Sequence, residues 1–332
     1  MKKEILKVLN YFLFFDYPPT FEEIYTFLPI QTTKKRLNQE LEHLIKQKKL
    51  LILNFELLTD KRYTVGEYGI KKSKIKNQKS KIIQQFTDFE ERVRESGRKL
   101  SSWRFKLYIK LLSFFPQIKL VGLSGSISMM NAKKNDDIDL FIITAQNRLF
   151  TARFIAIILA QFLGLRRYRD FEARRRNFYA PVGPLFPLKA EKTSQVAKNL
   201  ASSPHKDKIC LNIFFDEIDL VVPKFKQSEY VAHEVLQMKP IVNKEQIYER
   251  FLYANRWVKK FFPNIFINTK IKSKVKSQKS KLKLKIKNLG DRLEKLLKKI
   301  QLKLINKHKT TEIITDTQLW FHPDDFEKKI KF

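Results

Sequence analysis

The chain has 332 residues, a formal net charge of +33 and one cysteine, Cys210. This length allows a buried core and two or three domains. An ordinary apolar fraction excludes overall disorder, and a single cysteine excludes a disulfide framework or a cysteine-rich zinc module and suits a reducing cytosol. The charge calls for a polyanionic partner, RNA or DNA first and an anionic membrane second, although a lysine excess also follows when AT-rich DNA encodes the chain.

The opening "MKKEILKVLNYFLFFDYPP" superficially resembles a secretion signal, but Lys7 and Asn10 break its apolar run and no small-residue cleavage site follows. Ile5, Val8, Leu9, Phe12 and Leu13 instead follow helical spacing. A second helix is expected after Thr20, whose capping box closes on Glu23, and a third over 31–51 with Leu37, Leu41, Leu44 and Ile45 on one stripe. Two short apolar runs around Thr59-Asp60-Lys61-Arg62 read as a hairpin. Three helices and a hairpin within 1–68 resemble a winged helix-turn-helix. That resemblance implies nucleic-acid contact through Thr33, Lys34, Lys35 and Asn38 on the third helix and Lys61 and Arg62 on the wing; docking to protein is the competing use.

A basic linker and long helix are expected over 69–116. The linker's "KSKIKNQKSKI" at 72–82 recurs as "KSKVKSQKSKL" at 272–282, and neither copy has an apolar face. Both read as solvated, partly helical insertions, and their surroundings, 71–83 and 270–287, carry nearly half of the charge excess.

Over 117–222 the pattern turns α/β. "IKLVGLSGS" reads as a strand ending in a small-residue turn, "DDIDLFIIT" as a second strand, "NRLFTARFIAIILAQFLG" as a helix closed by Gly164, and "KICLNIFF" as a third strand. The run "FIAIILAQFLGL" from Phe154 is too short to span a bilayer, so no transmembrane segment and a cytoplasmic location are expected. Residues alternate faces along a strand, which puts Asp137 and Asp139 on one side with Ile138 and Leu140 toward the core. Two carboxylates this close repel, and a divalent cation relieves the repulsion. The alternative is pairing with Lys133, Lys134 or Arg148.

Ser124-Gly125-Ser126, a ten-residue gap and Asp137-Ile138-Asp139-Leu140 resemble the signature of the DNA polymerase β-like nucleotidyltransferase superfamily. The resemblance covers about a third of the chain. It implies a nucleotidyltransferase fold with a small mixed sheet, Gly125 and Ser126 on the phosphates of an NTP, and Asp137 and Asp139 on two Mg²⁺ or Mn²⁺ ions. It also implies transfer of a nucleoside monophosphate to a hydroxyl. A third carboxylate belongs on a later strand. Here the matching position is Asn212, which cannot act as a base, while Asp216 lies four residues on. Two functions follow: a nucleotidyltransferase with RNA slightly favoured as acceptor, or a DNA-binding regulator whose degenerate domain senses a nucleotide.

The basic-aromatic segment 166–181 suits phosphate and base contacts or a solvated loop. Residues 223–265 read as a cap of two helices separated by Pro240, with Tyr248, Phe251, Leu252, Trp257 and Val258 packing. His233-Glu234 lacks the second histidine of a zinc-protease helix. Over 266–309, Leu289, Leu293, Leu296, Leu297, Ile300 and Leu304 mark an amphipathic helix. The protein body is its default partner, with another copy or an anionic membrane as alternatives. The tail, 310–332, carries no pattern. The expected whole is a multidomain α+β or α/β protein with a helical C-terminal part.

Overall fold

The computed structural model describes residues 1–55, 58–66, 78–167, 207–267, 281–307 and 312–321, with the side chains of 78–87 and 281–288 left aside. The fold is mixed α+β, with helices on both faces of a mixed sheet. Three helices open it: α1 (Lys2–Phe14), α2 (Phe21–Phe27) and α3 (Lys34–Lys46). Thr20 caps α2 through the reciprocal bond with Glu23 that its sequence specifies, and Thr33 caps α3 by accepting from Arg36 N–H. Strands β1 (Leu50–Leu53) and β2 (Arg62–Val65) then pair antiparallel.

The long helical stretch is two helices, α4 (Gln78–Ser101) and α5 (Trp103–Phe114), interrupted at Ser102. Strand β3 (Ile118–Leu123) leads through the single turn α6 (Gly125–Ser128) and a loop to β4 (Ile138–Thr144). Helix α7 (Leu149–Phe162) follows, then β5 (Ile209–Asp216). Strand β4 runs antiparallel to β3 and parallel to β5. The register between β4 and β5 slips after Leu140, where Leu211 is its partner but Phe141 faces Ile213, so Asn212 is an extra, bulged residue.

Beyond β5 a helix forms on each side of Pro240 as expected, but the segment between them is a strand: α8 (Glu229–Gln237) runs into β6 (Lys239–Asn243), which contains Pro240 and pairs with β3 at the sheet edge. An edge strand tolerates a residue without an N–H because one side of its ladder is unused. Helices α9 (Ile247–Ala254) and α10 (Lys281–Asn306) follow. The tail then contributes β7 (Ile313–Ile314) and β8 (Gln318–Trp320), giving the sheet order β6-β3-β4-β5-β8-β7. Most of the lysine-rich repeats lies outside the described residues; their last residues begin α4 and α10. His322, Asp324 and Asp325 are also outside.

The sheet separates two apolar clusters. Ile138, Leu140, Ile142 and Phe214 face α5 and α7 in one. Phe141, Ile143 and Phe215 face the other, which continues through α8, α9 and Phe89 of α4 into the three N-terminal helices and their hairpin. The N-terminal unit therefore shares its core with one face of the sheet, and Asp139, in phase with Phe141, opens toward that same side.

Helix α4 aligns the loop before β4. Arg92, Ser96 and Lys99 lie at i, i+4 and i+7 on one face, all buried. Arg92 Nε donates to Asn131 Oδ1 at 2.7 Å, Ala132 N–H donates to Ser96 Oγ at 3.0 Å, and Lys99 Nζ donates to the carbonyls of Lys134 and Asp136 at 3.0 and 2.7 Å. Asn131 also reaches the end of α1, donating to Phe15 O at 2.9 Å. Replacing Lys99 by Met leaves its buried position without the ammonium that ties the Lys134 and Asp136 carbonyls together and leaves Asp207 to Arg98 alone. Lys99→Met is expected to cost about 3 kcal/mol, read as a lower urea midpoint of the full chain, whereas Lys110→Met on the exposed side of α5 changes it little.

Candidate functional site

The site lies at one end of the sheet, where β3 turns into α6 and β4 begins. Gly125 adopts φ +61°, and a Cβ built there would sit 2.8 Å from Asp139 Oδ2. Glycine is required twice over, by a left-handed backbone and by the carboxylate against its Cα. Ser124 N–H donates to Asp139 O at 3.1 Å, tying the turn to the strand beside it.

Asp137 and Asp139 point to the same side, as their alternation predicts. With Cys210 on the neighbouring strand they place one ligand atom each within 4.8 Å of one another. Burial, then the charge of Asp137, holds the Asp139 carboxyl well above the ordinary range. The cation that answers this repulsion is Arg167, not Lys133, Lys134 or Arg148: its guanidinium donates to Asp137 Oδ2 and to Cys210 Sγ, the latter at 3.2 Å. Arg148 pairs instead with Asp291 at 2.7 Å. Burial and the two carboxylates push the Cys210 thiol upward, so it remains protonated and donates to Asn212 Oδ1 at 2.7 Å.

Asn212, two residues beyond Cys210, shares this side, and its Nδ2 donates to Asp139 Oδ1 at 3.0 Å. Asn212 is therefore the residue that meets Asp139. Asp216 does not reach it: it pairs in register with Thr144 at the far end of β4 and accepts from Asn147 and Ile218 N–H. Burial pushes its carboxyl up to about 6. Asp219 is likewise remote, accepting from Thr317 Oγ1 at 2.6 Å. Ser126 lies beside Gly125, its hydroxyl 3.4 Å from Asp136 Oδ2.

One acid at the site was missed from sequence. Glu234 on α8 accepts the Gly125 N–H and a side-chain bond from Tyr230, and burial pushes its carboxyl up to about 6. Its charge also acts on Asp139. The preceding residue, His233, points into the N-terminal unit, stacked on Tyr11 and Phe27 with ring centroids 3.7 and 4.3 Å away. Burial there holds its imidazole well below the usual range, hence neutral. The pattern His-Glu signalled nothing because its meaning comes from what packs against two neighbouring faces of one helix.

Of the residues expected to face nucleic acid, Thr33, Lys34, Lys35, Asn38 and Lys61 are exposed. Lys34 pairs with Glu22 at 2.7 Å, and Asn38 donates to Glu42. Arg62 does not stand on an exposed wing. It lies half-buried over the Tyr17 and Phe89 rings, its Nη1 bonded to Tyr17 Oη, Pro18 O and Glu23, so the guanidinium is engaged inside the fold. The basic-aromatic segment lies outside the described residues from 168 onward.

Comparison with known proteins returns no match to a family model, to a curated protein or to a solved structure.

Arg167 competes with any cation for Asp137. Arg167→Gln is expected to tighten Mn²⁺ binding about tenfold, followed by electron paramagnetic resonance of free Mn²⁺; unchanged affinity would mean that the guanidinium does not occupy the cation's place. For Glu234 the folded pKa lies above the unfolded value, so its neutral form is favoured on folding and that stability is lost as pH rises through about 6. Between pH 4 and 7 the native chain should lose about 2 kcal/mol relative to Glu234→Gln, measured as urea midpoints across that range.

Proposed function

We propose that the chain is a nucleotidyltransferase that moves a nucleoside monophosphate from an NTP to a hydroxyl, with Mg²⁺ or Mn²⁺ held by Asp137 and Asp139. The observation that carries this reading is the convergence of both carboxylates with the Gly125 backbone on adjoining strands. The donor set suits a hard divalent ion: two carboxylate oxygens face one side, a guanidinium is already drawn to them, and the Cys210 thiol is held protonated. When bound, the metal supplies Lewis-acid charge for the triphosphate and the acceptor hydroxyl. Gly125 keeps the space beside Asp139 clear, and Ser126 offers a hydroxyl for phosphate oxygens. Asn212 holds Asp139 by its amide. The N-terminal unit, taken as a winged helix, presents Thr33, Lys34, Lys35, Asn38 and Lys61 to an RNA acceptor. An NTP substrate fits a function in the cytoplasm, where NTPs are abundant.

Asn212 favours a second reading. An amide at the third position accepts no proton, and α8 joins the site to the N-terminal helices through Glu234 and His233. In that reading the chain is a DNA-binding regulator whose nucleotide site senses and does not turn over.

The test incubates the full chain with each α-³²P-labelled NTP, Mg²⁺ and total cell extract. Transfer of label to RNA, abolished in Asp139→Asn of unchanged circular dichroism, is the expected result. Nucleotide binding without label from any NTP supports the sensor, and absence of binding to every NTP overturns both readings.

A further inference from the structure

Helix α10 is mounted the wrong way round for a helix that packs through its apolar stripe. Its buried contacts are largely polar. Glu294 accepts from Phe150 N–H at 2.7 Å, from Thr151 N–H at 2.8 Å and from Thr151 Oγ1, so it caps the start of α7. Gln301 donates to Phe150 O at 2.8 Å and accepts from Arg153 at 2.6 Å. Leu297 is the one leucine of the stripe that is buried between them.

The other five face outward. Leu289, Leu293, Leu296, Ile300 and Leu304 are 70, 45, 55, 48 and 62% exposed. Their spacing of three and four residues places them in one line over about 23 Å of helix. At helical spacing Arg292, Lys299 and Lys303 fall along one border of that line with Lys295 behind them, and all four are exposed. Both acids of the segment are turned away: Glu294 onto α7 and Asp291 onto Arg148.

We propose that this face of α10 lies on a lipid surface bearing anionic headgroups, with the five aliphatic side chains in the acyl boundary and the cations at headgroup level. The occupant follows from charge and chemistry. An anionic bilayer meets both halves of the surface, apolar and cationic. A nucleic acid meets only the cations. A second copy on the same stripe brings like charges together, with the acids of both helices turned away from it. Long lysine side chains reach the headgroups while their stems cover the rim of the apolar line. This is peripheral attachment: among the described residues no helix is long and apolar enough to cross a membrane. It rests on none of the residues of the proposed nucleotide site.

The experiment is sedimentation of the full chain with vesicles of phosphatidylcholine containing 30% phosphatidylglycerol, and with phosphatidylcholine alone, at 0.5 M NaCl. At that ionic strength the screening length is only a few ångströms, so the general charge of the chain contributes little. The variant Leu293→Ser/Leu296→Ser/Ile300→Ser keeps every charge, and its fold is checked by circular dichroism and an unchanged urea midpoint. The expected result is binding to the anionic vesicles that falls at least tenfold in the serine variant, and a fall of similar direction in Lys295→Gln/Lys299→Gln/Lys303→Gln. Equal binding by native chain and serine variant overturns the proposal, as does no binding. Light scattering that shows a dimer broken by the serine substitutions also overturns it, in favour of a second copy on this face.

Discussion

Two carboxylates two residues apart on one face of a strand repel, and the site is organised by how that repulsion is relieved. Asp139 lies beneath the turn at Gly125 and Asp137 stands at the strand's entrance. Neither can move away, because β4 is flanked on both sides by paired strands and its preceding loop is bonded to α4 at Arg92, Ser96 and Lys99. The fold therefore brings a positive charge to the acids. Arg167 supplies it to Asp137, and Asn212 supplies an amide donor to Asp139. The same geometry that makes the pair costly to bury makes it a good seat for a cation.

Helix α8 gives this site a connection. Consecutive residues on it reach different parts of the molecule: His233 is stacked among Tyr11, Phe27 and Phe262, and Glu234 accepts the Gly125 N–H. A rotation of α8 cannot alter one contact without altering the other, since both side chains leave the same backbone. Asn264 reinforces the link by accepting from Thr32 N–H and donating to the carbonyls of Tyr25 and Ile30, which fixes the turn into α3. The exposed residues of α3 and the carboxylates at the sheet end are thus held in one packed body.

Much of the fold was legible in local pattern. The capping box at Thr20 and Glu23, the leucine stripe of α3, the hairpin, and the strand–turn–strand unit around Gly125 and Asp139 all depend on bonds or alternation within a few residues. Less was legible where an element's role depends on its neighbour. Pro240 punctuates a helix in isolation but sits in an edge strand here, and the unpatterned tail becomes two strands because β5 offers an open edge. Arg62, placed on a wing by its position in a polar turn, is drawn inward by Glu23 and Tyr17.

By itself the sequence determined that Asp137 and Asp139 share a face, that a glycine turn precedes them, and that α10 has an apolar stripe, since periodicity along a strand or helix follows from backbone geometry alone. Tertiary structure decided what each face meets: Arg167 and Asn212 at the acids, Glu234 at the turn, and α7 against the polar side of α10. Periodicity says that a helix has two sides. Only packing, through the buried hydrogen bonds of Glu294 and Gln301, determines which side turns inward.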